Sequence, residues 1–196
     1  MHQLDFAAQV DRGLVRETNQ DVARIAPALG LVVVADGMGG HERGEVASSV
    51  AADTILSVFE RLGGLDAHHS YAAELRRQGL DGSPELRATA EQYQNMLTRC
   101  IGGADEVAVD AKVLRIQPGD VLVLCSDGLW GGVGPDAISH IVQAAPSAED
   151  ACRSLISAAW QSGGLDNIGV AVVRVLPLAL RDELPPEHEA TSAASL

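Results

Sequence analysis

The chain has 196 residues, 46% of them hydrophobic but only 3% aromatic, and a formal charge of −13 at neutral pH. That length suits one domain, with a core built from Val, Leu, Ile and Ala. The negative charge argues against nucleic acid or an anionic membrane as partner, since both are polyanions, and it leaves any phosphorylated substrate dependent on local cations, either a metal or a positioned arginine.

The stretch from Met1 to Arg12 has no basic segment followed by an apolar run, so no signal peptide is expected. No apolar run approaches membrane-spanning length. Cys100, Cys125 and Cys152 have no C-x-x-C spacing, and the latter two lie on apolar elements, so a reducing cytoplasm is the expected compartment. Residues 3–10 read as a first strand. The polar loop Asp11–Asp21, D-R-G-L-V-R-E-T-N-Q-D, has two readings. It is a solvated turn, or it is a working loop in which Arg16 grips a phosphate in bidentate fashion and Asp21 holds water on a metal. The loop alone does not choose between them.

Leu31–His41 reads L-V-V-V-A-D-G-M-G-G-H: a buried strand, then Asp36 at its end, then glycines that allow close backbone approach. A carboxylate in that place suits a hard cation such as Mg²⁺ or Mn²⁺, although a strand closed by an inert Asp-Gly turn looks the same. Recurrence favours the first reading. Asp120–Gly132, D-V-L-V-L-C-S-D-G-L-W-G-G, repeats the arrangement with Asp127, and Asp166 precedes the apolar run Ile168–Val175. Three aspartates at three strand ends are expected to converge on one rim.

Between these segments, residues 44–62 carry Val46, Ala47, Val50, Ala51, Ile55, Val58, Phe59 and Leu62 at helical spacing, predicting a helix with that stripe on a sheet. Residues 65–97 are polar and helical in character, with Pro84 as a start signal and Arg76, Arg77 and Arg87 as a solvated or flap-like basic face. Pro135 opens a helix to about Ala145. Ser147 caps another with Asp150 three residues on, and Ala148, Cys152, Leu155, Ile156 and Ala159 form its buried stripe, closed by Gly163. Residues 177–196 read as a disordered acidic tail.

The motifs R-E-T-N-Q-D, V-A-D-G-M-G-G-H-x-x-G-E-x-A-S, L-T-R-C-I-G-G, L-C-S-D-G-L-W and D-N-I, in this order over residues 11–175, resemble the bacterial branch of the metal-dependent protein phosphatase family, the protein phosphatase 2C type. The resemblance implies an α+β fold, an antiparallel β-sandwich flanked by helices, over residues 1–176. It implies hydrolysis of phosphoserine and phosphothreonine in proteins with two Mn²⁺ or Mg²⁺ ions. By the same carry-over, Asp36 bridges both ions, the Gly37 carbonyl binds the first, Asp127 and Asp166 bind the second, Asp21 belongs to the inner water network, and Arg16 grips the substrate phosphate. Residues 70–95 match the family's flap. Phosphorylated proteins are the implied partners, with a serine/threonine kinase acting on the same substrates. Two cations roughly 3.5–4 Å apart activate water without a side-chain nucleophile, in keeping with the lack of any Cys-x5-Arg or Gly-x-Ser-x-Gly pattern.

Three departures accompany the resemblance. Met38 stands where animal members have a histidine proposed as general acid, and Gln20 is neutral where many members are acidic. The third is a gap. The family's G-T-T and G-D-S-R strands, expected after the first long helix, have no counterpart between residues 62 and 66, and His68 replaces the acid of the motif that follows them. The chain is therefore expected to lack central strands. An alternative function follows: a catalytically weak or inactive relic that acts as a binding module.

Overall fold

The computed structural model describes residues 3–38, 43–62, 100–101, 109 and 112–177. The flap-like segment 70–95, the gap at 62–66 beyond Leu62, and the acidic tail after Pro177 lie outside the described residues. So do Gly39, Gly40 and His41.

Among the described residues, five strands form two antiparallel sheets. One sheet has the order β1 (Gln3–Asp11), β5 (Ile168–Leu176), β4 (Val121–Cys125); the other pairs β2 (Val22–Ala26) with β3 (Leu31–Ala35). β1 runs against β5 from Gln3 opposite Leu176 to Asp11 opposite Ile168, and β4 runs against its other edge from Val121 opposite Arg174 to Cys125 opposite Val170. β5 is thus the centre of its sheet. It is apolar without alternation, as a strand covered on both faces must be. Ile168, Val170 and Val172 face the main core, while Gly169 on the opposite face lies against Val34 of the second sheet and Asp21, which immediately precedes β2. The two sheets therefore pack face to face through β5, giving the expected α+β sandwich.

Among the described residues, four helices flank them: α1 (Arg43–Leu62), a single turn α2 (Asp127–Trp130), α3 (Pro135–Ala144) and α4 (Ala148–Gln161). α4 buries Ala148, Ala151, Cys152, Leu155, Ile156 and Ala159 against β1 and β5, as its spacing predicts. Burial of Leu155 or Ile168 contributes roughly 1.5–3 kcal/mol each. Its start is fixed twice. Ser147 Oγ accepts from the Asp150 N–H at 3.1 Å, the expected cap, and Asp5 of β1 accepts from the Ala148 N–H at 2.8 Å.

α1 departs from its expected stripe. Val46 and Val50 are 60% and 59% exposed, and Ala47 is exposed too. The buried face is Gly44, Ser48 and Ala52, with Ile55 partly buried, and it lies on Val22, Val33, Leu31 and Ala35. Small residues occupy it because the helix comes close to backbone: the Ser48 hydroxyl donates to the Gln20 carbonyl at 2.6 Å. The second half of the expected stripe, Ala51, Ile55, Val58 and Phe59, is partly buried as predicted, and the departure is confined to the first turns, where the residues that permit the approach carry little apolar surface. β2, the 3₁₀ turn Pro27–Leu29 and α2 are also present without having been expected from the pattern.

Candidate active site

The site is the rim where β3 ends, β4 ends and β5 begins. Asp36 follows Ala35, the last residue of β3; Asp127 opens α2 two residues after β4; Asp166 lies two residues before β5. Close backbone contacts bring these ends together. Gly37 is buried, and a Cβ there would meet the Gly44 carbonyl oxygen at 2.3 Å and that of Gln20 at 2.5 Å. A Cβ on Gly128 would lie 1.9 Å from the Asn167 carbonyl oxygen. Glycine is required at both places so that Asp36 and Asp127 can reach the rim.

Asp21 lies behind it, buried. The Ser126 hydroxyl donates to Asp21 Oδ2 at 2.5 Å and accepts from the Gly169 N–H at 2.8 Å. Burial raises the Asp21 carboxyl from its ordinary 3.8 to about 6; the Ser126 bond works against that rise, and Asp36, Asp127 and Asp166 add to it. Asp36 is exposed as a residue, yet the protein behind its carboxylate withdraws enough water to raise its pKa. Asp127 and Asp166 raise it further, and Arg16 lowers it. Four aspartates therefore share one electrostatic neighbourhood.

Arg16 meets this group directly. Its Nη2 donates to Asp166 Oδ2 at 2.7 Å. Asp166 Oδ1 accepts from the Asn167 N–H at 2.8 Å. The Asn167 side chain holds the loop that carries Arg16: its amide donates to the carbonyls of Arg12 at 2.9 Å and Thr18 at 2.8 Å, and its Oδ1 accepts from the Gln20 N–H at 2.8 Å. Asp11 tethers the loop's start, accepting from the Gly13 N–H and from Trp160 Nε1.

The donor set suits hard divalent cations: carboxylates, a backbone carbonyl, and mutual repulsion that a cation would relieve. Among the described residues, however, no three His, Cys, Asp or Glu side chains are already gathered around one point. Arg16 occupies an oxygen of Asp166 instead. Ser126 and Asn167 escaped the sequence reading as working residues. Each is the neighbour of a candidate ligand, in S-D-G and D-N, and that adjacency was the available signal.

No family model matches the chain. It is 26% identical over 240 residues to a putative protein phosphatase 2C-type protein of Streptococcus pyogenes, covering 87% of this chain and 97% of the relative. That alignment is longer than the chain's own 196 residues, so the relative carries residues with no counterpart here. The S. agalactiae serine/threonine phosphatase superposes with a TM-score of 0.66 at 25% identity, covering 88% of this chain and all of that one. The catalytic domain of the serine/threonine protein phosphatase PstP, solved in complex with two manganese ions, superposes with a TM-score of 0.62 at 24% identity over 90% of this chain and 100% of its own. The fold is that of the metal-dependent serine/threonine phosphatases. By sequence as well, the chain is similar to a bacterial protein phosphatase 2C-type protein.

Proposed function

We propose that the chain hydrolyses phosphoserine and phosphothreonine esters of proteins with two divalent cations, Mn²⁺ or Mg²⁺. One observation carries the reading: Asp21, Asp36, Asp127 and Asp166, from four separate stretches of the chain, share one electrostatic neighbourhood beside Arg16. Asp36 and the Gly37 carbonyl would hold the first ion, with Asp36 shared and Asp127 and Asp166 on the second. Bound there, the ions supply an activated water and neutralise charge on the phosphoryl group.

The chain's own residues do the rest. Arg16 offers a planar pair of donors to the phosphoryl oxygens. Asp21, held by Ser126, accepts hydrogen bonds from water at the inner side of the rim. Asn167 fixes the height of the Arg16 loop above Asp166. Phosphorylated proteins are the substrates, and a serine/threonine kinase working on the same residues is the natural counterpart. Three unpaired cysteines support action in the cytoplasm. Residues 1–176 would form the catalytic unit, shortened near residues 62–66.

A second reading is favoured by the open carboxylate rim and by the residues missing relative to the S. pyogenes protein: a weak or inactive phosphatase-like binding module. Turnover of a phosphothreonine peptide by the purified chain in Mn²⁺, with a chelator control, separates the two. Chelator-sensitive phosphate release supports the enzyme; its absence at saturating Mn²⁺ supports the module.

A further inference from the structure

Arg16 stands where the rim needs a cation. Among the described residues, Arg16 lowers the pKa of Asp36 while Asp127 and Asp166 raise it. With Arg16 on Oδ2 and the Asn167 N–H on Oδ1, both oxygens of Asp166 are engaged. A divalent ion held by Asp166 would compete with the guanidinium for that carboxylate. The three side-chain bonds of Asn167 keep the arginine loop in place when that bond breaks, so a released guanidinium stays above the rim.

We propose that Arg16 is the resident counter-ion of the carboxylate rim, exchanged at Asp166 for a divalent cation, so that cation loading frees its guanidinium for the substrate phosphate. This rests on the two-cation phosphatase reading above. It makes Arg16 a link between the two binding events: phosphate finds its arginine only after the cation has taken Asp166. The pair is partly exposed, with side-chain exposures of 55% and 36%, so the competition is modest.

Two measurements on the intact chain test it. Mg²⁺ is diamagnetic, so calorimetric titration and NMR of the arginine Nε–H groups can follow the same loading. The Arg16 resonance should move with the calorimetric midpoint. That of Arg24, paired with Asp53 away from the rim, should stay still. Arg16→Gln should bind Mg²⁺ about two- to fivefold more tightly, the range expected for removing an exposed ion pair. Mg²⁺ binding with the Arg16 resonance unmoved, or with equal or weaker affinity in Arg16→Gln, overturns the exchange and leaves the phosphatase reading intact. No Mg²⁺ binding by either protein overturns both.

Discussion

Ser126 donates its hydroxyl proton to Asp21 across 105 residues of chain, and the bond joins the end of β4 to the start of β2. It is the buried joint between the half of the molecule that carries Asp36 and the half that carries Asp127. Ser126→Ala leaves Asp21 Oδ2 and the Gly169 N–H without this partner in a buried place. The expected loss is about 1–3 kcal/mol of stability, read from urea unfolding. A loss below measurement error would mean that the two halves are held by packing alone.

The same aspartate sets a pH dependence. With its folded pKa raised to about 6 from an ordinary 3.8, Asp21 keeps its proton in the folded chain after the unfolded chain has lost it. The folded state binds more protons over that interval, so cation-free stability falls as pH rises from about 4 to about 6, and the loss persists above. Asp21→Asn has no such proton. Its melting temperature should gain on the wild type across that interval and run parallel above it. A difference that is constant with pH from 3 to 8 would refute the assignment.

Asn167 is expected to matter to substrate more than its position outside the carboxylate set suggests. Asn167→Ala removes three hydrogen bonds to the Arg16 loop, at a cost of roughly 2 kcal/mol or more. Its kinetic signature should be a raised KM for phosphopeptide with a smaller change in kcat, because the arginine is displaced while the carboxylates remain. An unchanged KM would make Asn167 a purely structural residue.

Cation binding should stabilise the fold, since it relieves repulsion among Asp36, Asp127 and Asp166. At a concentration a hundredfold above Kd, Mn²⁺ should add about 2.7 kcal/mol. Asp36→Asn should abolish most of the thermal shift. A wild-type chain that melts at the same temperature in Mn²⁺ and in chelator would remove the two-cation site from consideration.

The exposed valines of α1 predict self-association. Val46 and Val50 present apolar surface on a helix whose other face is already covered, in a chain that lacks residues its relative carries. Sedimentation at rising concentration should show association, reduced in Val46→Ser/Val50→Ser. A version with G-T-T and G-D-S-R strands inserted should melt higher and turn over phosphopeptide faster. If the short chain is monomeric, as stable and as fast, those strands are dispensable.

Strands β1, β3, β4 and β5 and the helix α4 were legible in the sequence because their burial follows from their apolar pattern; β2 was not. β3, β4 and β5 needed only runs of Val, Leu and Ile, and Ser147 announced its own capping box. The rim aspartates were legible through the repeated Asp-Gly, which marks a strand end that must turn sharply. α1 was legible as a helix and in the later half of its stripe, but not at Val46, Ala47 and Val50, because Gly44, Ser48 and Ala52 on the buried side are chosen for closeness and carry little hydrophobic signal. The pairing of Arg16 with Asp166 could not be read at all. It depends on where a loop of 10 residues is pinned, and the pins are an asparagine amide and backbone carbonyls distant in sequence. Asp5 as a cap for α4 was hidden for the same reason: the acceptor lies 143 residues before the donor.

Among the described strands, β5 is the last in sequence and the middle of its sheet, with the first, β1, on one side of it. During synthesis, β1 therefore waits for the chain from Asp11 to Ile168 to be made before it has its β5 partner, and Asp36 and Asp127 emerge before the strand that aligns them. Assembly of the rim is a single late event, slow in the way that distant pairings are slow. A chain stopped between Asp127 and Ile168 carries both aspartates and lacks the strand that aligns them.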